Sequence, residues 1–254
     1  MGRRSIRVAA AGLLFAAFAA DASAAETEAP EPQNWSFGGV FGVFDAAARQ
    51  RGFQVFREAC AGCHGLGFVA YRNLEAIGFD AETVKAIAAE YPLIDGPNDE
   101  GEMFERPAKP SDLWVPPFAN DNAARAGNNG ALPPDLSLIT KARKGGADYI
   151  FALLTHYDEA ACGDELPEGM YCNPSFPGEQ IAMPPPLLED GVEYADGTEA
   201  SVEQMARDVT EFLVWAAEPE LEARKNMGLG VMIFLAIFTA MLYAVKRKVW
   251  ADIH

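Results

Sequence analysis

The sequence predicts a mainly α-helical domain with long irregular loops, followed by one C-terminal transmembrane helix. Three observations lead there. Four stretches of helical apolar periodicity are separated by segments crowded with proline and glycine. Residues 227–245 form nineteen consecutive positions without a charge. At about 1.5 Å per residue, a helix of that length matches a hydrocarbon core of about 30 Å. The third is the pentapeptide Cys60-Ala61-Gly62-Cys63-His64, which closes the first helical stretch.

A C-x-x-C-H run reads as an attachment site for c-type haem. Two thiols three positions apart can each form a thioether to one porphyrin, and the histidine directly after them is then held under the iron. A zinc site would need a further Cys or His pair nearby, and the chain has four cysteines and three histidines in all. A redox dithiol would not need His64.

Residues 1–24 follow the export pattern. Arg3, Arg4 and Arg7 form a charged start, residues 8–20 an apolar run, and Ala22-Ser23-Ala24 a small-residue cleavage site. Cleavage after Ala24 removes three arginines and Asp21, which takes the net charge from −17 to −19. So acidic a chain is no nucleic-acid binder, whose footprint is a basic face. It suits a basic partner, which long-range attraction would bring in faster. Export also allows Cys162 and Cys172 to persist as a disulfide. Neither begins a second haem motif, and the alternative is a pair of reduced structural cysteines.

In order along the mature chain, residues 25–36 are acidic and proline-bearing and predict an extended lead-in. Residues 45–59 predict a helix with Phe53, Val55 and Phe56 on its apolar side, and residues 80–91 a second, capped by Asp80 and closed by Pro92. Helical periodicity fails over residues 92–134, where prolines, glycines and the acids Asp95, Asp99, Glu100, Glu102 and Glu105 accumulate. Loops of such length are commonly functional, and here the simplest function is to wrap a porphyrin edge. Arg125 lies within it and reads either as a propionate partner or as a surface charge. Residues 147–157 predict a third helix. Residues 201–217 predict a fourth, with Ser201 and Gln204 as a capping box and Val202, Met205, Val209, Phe212 and Leu213 on one face.

The second iron ligand is open at this level. Met183 precedes Pro184-Pro185-Pro186 in an extended, proline-stiffened segment that would present its sulfur at a fixed point. His156, Met103, Met170 and Met205 compete, and Met205 sits on a helix face like a core residue. At the C-terminal end, Lys246-Arg247-Lys248 follows the uncharged run, flanked by Tyr243 and Trp250. Basic residues there predict a cytoplasmic C-terminus. The expected layout is a leader at 1–24, an exported haem domain at 25–220, an anchor at 221–248 and a short tail at 249–254.

Together these features resemble the cytochrome c1 family, the haem subunits of quinol–cytochrome c reductase. The resemblance rests on Cys60-Ala-Gly-Cys-His64, on Ala124-Arg125-Ala126-Gly-Asn-Asn-Gly-Ala-Leu-Pro-Pro-Asp-Leu-Ser137, on residues 142–151 beginning Ala-Arg-Lys-Gly-Gly, on Ala182-Met183-Pro-Pro-Pro186 and on Phe212-Leu-Val-Trp-Ala-Ala-Glu-Pro219. It covers nearly the whole mature chain. It implies a cytochrome c-like haem domain of bacterial type with one covalently bound haem c. Cys60 and Cys63 would carry the thioethers, His64 and Met183 would ligate the iron, and Arg125 would meet a propionate. Some bacterial members have a disulfide in the region of Cys162 and Cys172, which no invariant family element covers.

The implied role is one-electron transfer without bond chemistry of its own, from a Rieske iron–sulfur subunit to a soluble, basic c-type cytochrome. The span would lie beside a cytochrome b subunit in the bilayer of a bacterial inner membrane, with the haem domain in the periplasm. A free-standing membrane-anchored shuttle and a haem peroxidase are the rival readings. The acidic clusters near residues 95–105, 158–168 and 189–203 are candidate docking faces for the carrier, with a salt-sensitive on-rate.

Overall fold

A computed structural model describes residues 29–163 and 166–251. The expected leader at 1–24 and the last three residues of the expected tail lie outside the described residues. Helix α1 (Ala46–Val55) starts at Asp45, whose Oδ1 accepts the Ala48 N–H at 3.0 Å. This satisfies one of the amides left unpaired at a helix start. The helix expected over 45–59 is present but changes pitch. Phe56–Cys60 widens into a π-helical turn, closed by the Ala61 N–H on the Phe56 carbonyl at 2.8 Å. A single wide turn of this kind is frequent at functional sites.

A 3₁₀ turn (Tyr71–Ile77) and α2 (Ala81–Ala89), capped by Asp80, follow. The irregular reading of residues 92–134 is corrected in part. Strand β1 (Pro92–Asp95) pairs antiparallel with β2 (Phe104–Pro107), and α3 (Asp121–Gly127) is a short helix. Both strands are four residues long and carry proline at one end, so no alternation marked them in sequence. Arg106 on β2 clamps the hairpin base, reaching Asp95 at 2.5 Å and Asp112 at 2.6 Å. One acid of the 95–105 cluster is therefore already paired.

Helices α4 (Ile139–Ala142) and α5 (Gly146–Thr155) lead to a two-residue pairing of β3 (Tyr171–Cys172) with β4 (Gln180–Ile181). Cys162 and Cys172 are joined, with their Cα atoms 5.7 Å apart, inside the usual range for a disulfide. Helix α6 (Val202–Ala217) packs against α1 and α5. Its Ser201 cap accepts the Gln204 N–H at 3.2 Å, but the box is one-sided. The Gln204 side chain donates instead to Asp208 at 3.0 Å, because that carboxylate is buried and needs every partner within reach.

The core is an aromatic layer between α1 and α6. Phe53 meets Trp114 edge-on at 5.9 Å, and Phe56 lies 5.7 Å from Phe212. Across the same interface Arg51 grips Asp208 with two bonds, Nε to Oδ2 at 2.8 Å and Nη2 to Oδ1 at 3.0 Å. The Asp208 side chain is 1% exposed and that of Arg51 16%. Asp208→Ala is expected to destabilise the domain by about 2 kcal/mol, because it removes two charge-assisted bonds from a largely buried guanidinium and leaves it only Asp196, whose Oδ2 accepts from Nη1 at 2.9 Å. Denaturant unfolding of the variant beside the parent checks this. A loss within about 0.5 kcal/mol, typical of a surface site, would show the pair to be dispensable.

Pro219 separates α6 from α7 (Leu221–Val249), a 29-residue helix that contains the whole uncharged run. From Met227 onward its apolar side chains are exposed. This is the form of a membrane anchor.

Candidate haem site

The end of α1 delivers the C-x-x-C-H motif as a turn, with the Cys63 and His64 N–H groups both on the Cys60 carbonyl at 3.1 and 2.9 Å. Cys60 is buried and Cys63 exposed, and neither is in a disulfide. Burial raises the Cys60 thiol to about 12, with a smaller contribution from Cys63. The π-helical turn Phe56–Cys60 ends on the first of the two cysteines.

Beside the motif lies a cavity of about 470 Å³. Its walls are mostly apolar: Leu132 and Leu136 before α4, Ile150 and Leu154 on α5, Val209 and Leu213 on α6. Cys60, Cys63, His64 and Met183 all line it. Residues more than a hundred positions apart in sequence thus meet at one space.

His64 is held by its surroundings. Its Nδ1 donates to the Pro134 carbonyl at 2.7 Å, which fixes the tautomer and leaves the Nε2 lone pair free. Burial holds the ring below its ordinary pKa, which favours the neutral form able to ligate. The carbonyl is itself placed by a zipper between residues 65–68 and 135–137. Asp135 accepts the Gly67 N–H at 2.7 Å and the Ser137 N–H at 2.8 Å, and Ser137 Oγ accepts the Phe68 N–H at 3.0 Å. The Leu136 N–H closes the zipper on the Gly65 carbonyl at 2.9 Å. Sequence reading missed Asp135 as a positioning residue; the run Pro-Pro-Asp-Leu-Ser137 was its only signal.

Met183 is half-buried, and Tyr157 Oη donates to its carbonyl at 3.0 Å. That bond, with Pro184 and Pro186 also on the wall, fixes the extended segment at the cavity. The competing donors lie elsewhere. His156 is exposed with Nδ1 on Ser175 Oγ at 2.9 Å, Met205 is core at 1% exposure, and Met103 is exposed on the segment joining β1 to β2. Met170 is not among the residues lining the cavity.

Arg125 is not among those lining residues either. It is exposed on α3 and its Nη1 donates to the Gly130 carbonyl at 3.0 Å, bracing the loop whose Asn128, Ala131 and Leu132 form the wall. The arginine that does line the cavity is Arg143, which the sequence marks only as one position of the run 142–151. The site fits a covalently held haem: two unbonded thiols, one fixed neutral imidazole with a free nitrogen, and a thioether meet at one apolar cavity.

The chain matches the model of the Cytochrome C1 family over residues 35–253. It is 49% identical to the cytochrome c1 of Rhodospirillum rubrum over 237 residues, covering 87% of each chain. It is 50% identical over 220 residues to the mitochondrial cytochrome c1 heme protein of Schizosaccharomyces pombe, covering 87% of this chain and 72% of that one. A third relative, the cytochrome b/c1 of Bradyrhizobium diazoefficiens, is 47% identical over an alignment 273 positions long with its gaps, which covers 98% of this chain but only 40% of that protein. On a match of this extent the chain belongs to the cytochrome c1 family, whose proteins carry one covalently bound haem c.

Proposed function

We propose that this chain is the haem-bearing electron-transfer subunit of a quinol–cytochrome c reductase in a bacterial inner membrane, serving a respiratory or photosynthetic chain. The observation that carries the reading is the meeting of Cys60, Cys63, His64 and Met183 at one apolar cavity. Cys60 and Cys63 would hold the thioethers, His64 Nε2 and the Met183 sulfur would ligate the iron, and the remaining donors of Arg125 would meet a propionate. When bound, the haem supplies a one-electron iron couple, whose potential a methionine ligand raises. The residues of this chain do the rest. Leu136, Ile150 and Leu213 keep water from the cavity, Pro134 holds His64, and Tyr157 holds Met183.

The electron would come from a Rieske iron–sulfur subunit and leave to a soluble, basic c-type cytochrome. The acids Asp99, Glu100, Glu102 and Glu105 are exposed and would favour such a carrier through a salt-sensitive on-rate. A neighbouring cytochrome b is supported by two relatives, one named cytochrome b/c1 and one, from Candida albicans, named cytochrome b-c1 complex catalytic subunit. Residues 1–24 would be a cleaved leader, residues 25–220 a periplasmic haem domain, residues 221–248 the anchor and residues 249–254 a cytoplasmic tail.

A reduced-minus-oxidised spectrum of the tagged chain, purified gently from membranes in mild detergent, tests this. A c-type band accompanied by b-type bands is expected. A c-type band alone would instead make the protein an independent anchored shuttle, and no haem band would overturn the site.

A further inference from the structure

Residues 37–44, Phe-Gly-Gly-Val-Phe-Gly-Val-Phe, form a loop that turns bulky apolar side chains to the outside. Phe41 is 81% exposed, Val40 64% and Val43 58%. The loop is nonetheless built. Its end rings face inward: Phe44 is buried and Phe37 packs against the core, with the two centroids 5.4 Å apart. A Cβ at Gly42 would lie 1.9 Å from the Gly38 carbonyl oxygen, so the turn closes only because position 42 is glycine.

Helix α7 ties this loop down. Lys225 Nζ donates to the Phe37 carbonyl at 2.5 Å and to the Gly42 carbonyl at 3.1 Å, and Glu222 Oε1 accepts the Phe44 N–H at 2.8 Å. Glu222 and Lys225 are among the last charged residues before the uncharged run begins at Met227. The loop therefore sits at the level where α7 meets the membrane surface. The apolar side chains of Met227 and Leu229, within the next turn of α7, are exposed as the tip is.

We infer that residues 40–43 insert into the headgroup and upper acyl region of the bilayer, on the side of the haem domain. This rests on the reading of α7 as a membrane span. Apolar groups seated at the interface bury about 5–10 Å deep when a polar scaffold holds them there. Lys225 supplies that scaffold, with its ammonium spent on loop carbonyls rather than left bare above the lipid. A single helix would let the domain swivel about its axis. A second foothold beside it fixes which way the cavity mouth at Cys63 faces.

The test uses the haem-loaded chain in its complex, in phosphatidylcholine nanodiscs, with a nitroxide on Phe41→Cys. Matched preparations carry the label on Ile237→Cys, inside the uncharged run, or on Glu100→Cys, an exposed loop acid. Unlabelled-site background is subtracted with the parent complex. Power saturation is read with oxygen and with a water-soluble nickel chelate. Position 41 is expected to relax more with oxygen and less with nickel than position 100. Equal nickel access at 41 and 100 would place the loop in water and overturn the inference. A label at 41 that is immobilised and shielded from both reagents would show a protein surface covering it, which also overturns it. Water-like behaviour at 237 would bring down the span itself, and the loop inference with it.

Discussion

Met183→Leu in the haem-loaded chain is expected to lower the midpoint potential by roughly 0.2 V, well inside the about 0.8 V over which axial ligands tune haem. The cause is local. Met183 lines the same cavity as His64, and in the proposed ligation its thioether would be the second donor that favours the ferrous state. Leucine nearly matches methionine in volume and should cost less than about 1.5 kcal/mol in packing. The bond from Tyr157 goes to the main-chain carbonyl of Met183, so the segment stays in place. The change in potential is thus separable from unfolding. With the sulfur gone, one face of the iron is open, and the reduced variant is expected to bind carbon monoxide while the parent resists it. A potentiometric titration and a carbon monoxide difference spectrum make the check. If both match the parent, Met183 is not the ligand.

Gly52→Ala is expected to lower stability by about 2 kcal/mol, despite placing a better helix former inside α1. Alanine gains about 1 kcal/mol over glycine in a helix interior. The tertiary contact works against it. A Cβ at position 52 would lie 2.0 Å from the Asp208 carbonyl oxygen, 2.6 Å from its carbon and 2.8 Å from the Phe212 Cβ. Two of these atoms are backbone of α6, so no side-chain rotation relieves the clash and the helices must part. Overpacking of this kind costs about 3 kcal/mol at its upper end. Separation would also stretch the Arg51–Asp208 pair one residue away. At about 2–4 °C per kcal/mol for a chain of this size, Tm should fall by about 4–8 °C. A Tm equal to or above the parent's would show that α1 and α6 do not approach so closely.

Much of the site was legible because its chemistry is local. The spacing of Cys60, Cys63 and His64 within one helical turn is a sequence fact, and so is the proline-stiffened setting of Met183. The helix caps at Asp80 and Ser201 bond groups three residues on, within reach of pattern alone. The span of α7 needed only its run of uncharged residues. Other features could not be read this way. Gln204 turned from its expected cap to Asp208, a choice decided by burial between two helices. The strands β1 and β2 are too short and proline-bounded to alternate, and the pair of Arg106 with Asp95 that clamps them leaves no sequence pattern.

What the sequence determined by itself was the haem motif, the four main helices, the anchor and the family likeness, since each depends on residues within a few turns of one another. Only the tertiary structure decided which donor meets the cavity of His64, since His156, Met103 and Met205 are excluded by where the chain carries them. It also put Arg143 on the cavity wall and tied Arg125 to the Gly130 carbonyl of the neighbouring loop. It set Asp135 to hold the carbonyl that orients His64, and it tied residues 37–44 to the first turn of α7. These are contacts between segments tens to almost two hundred residues apart. They depend on how helices cross and which groups burial forces to pair, and no periodicity along the chain records that.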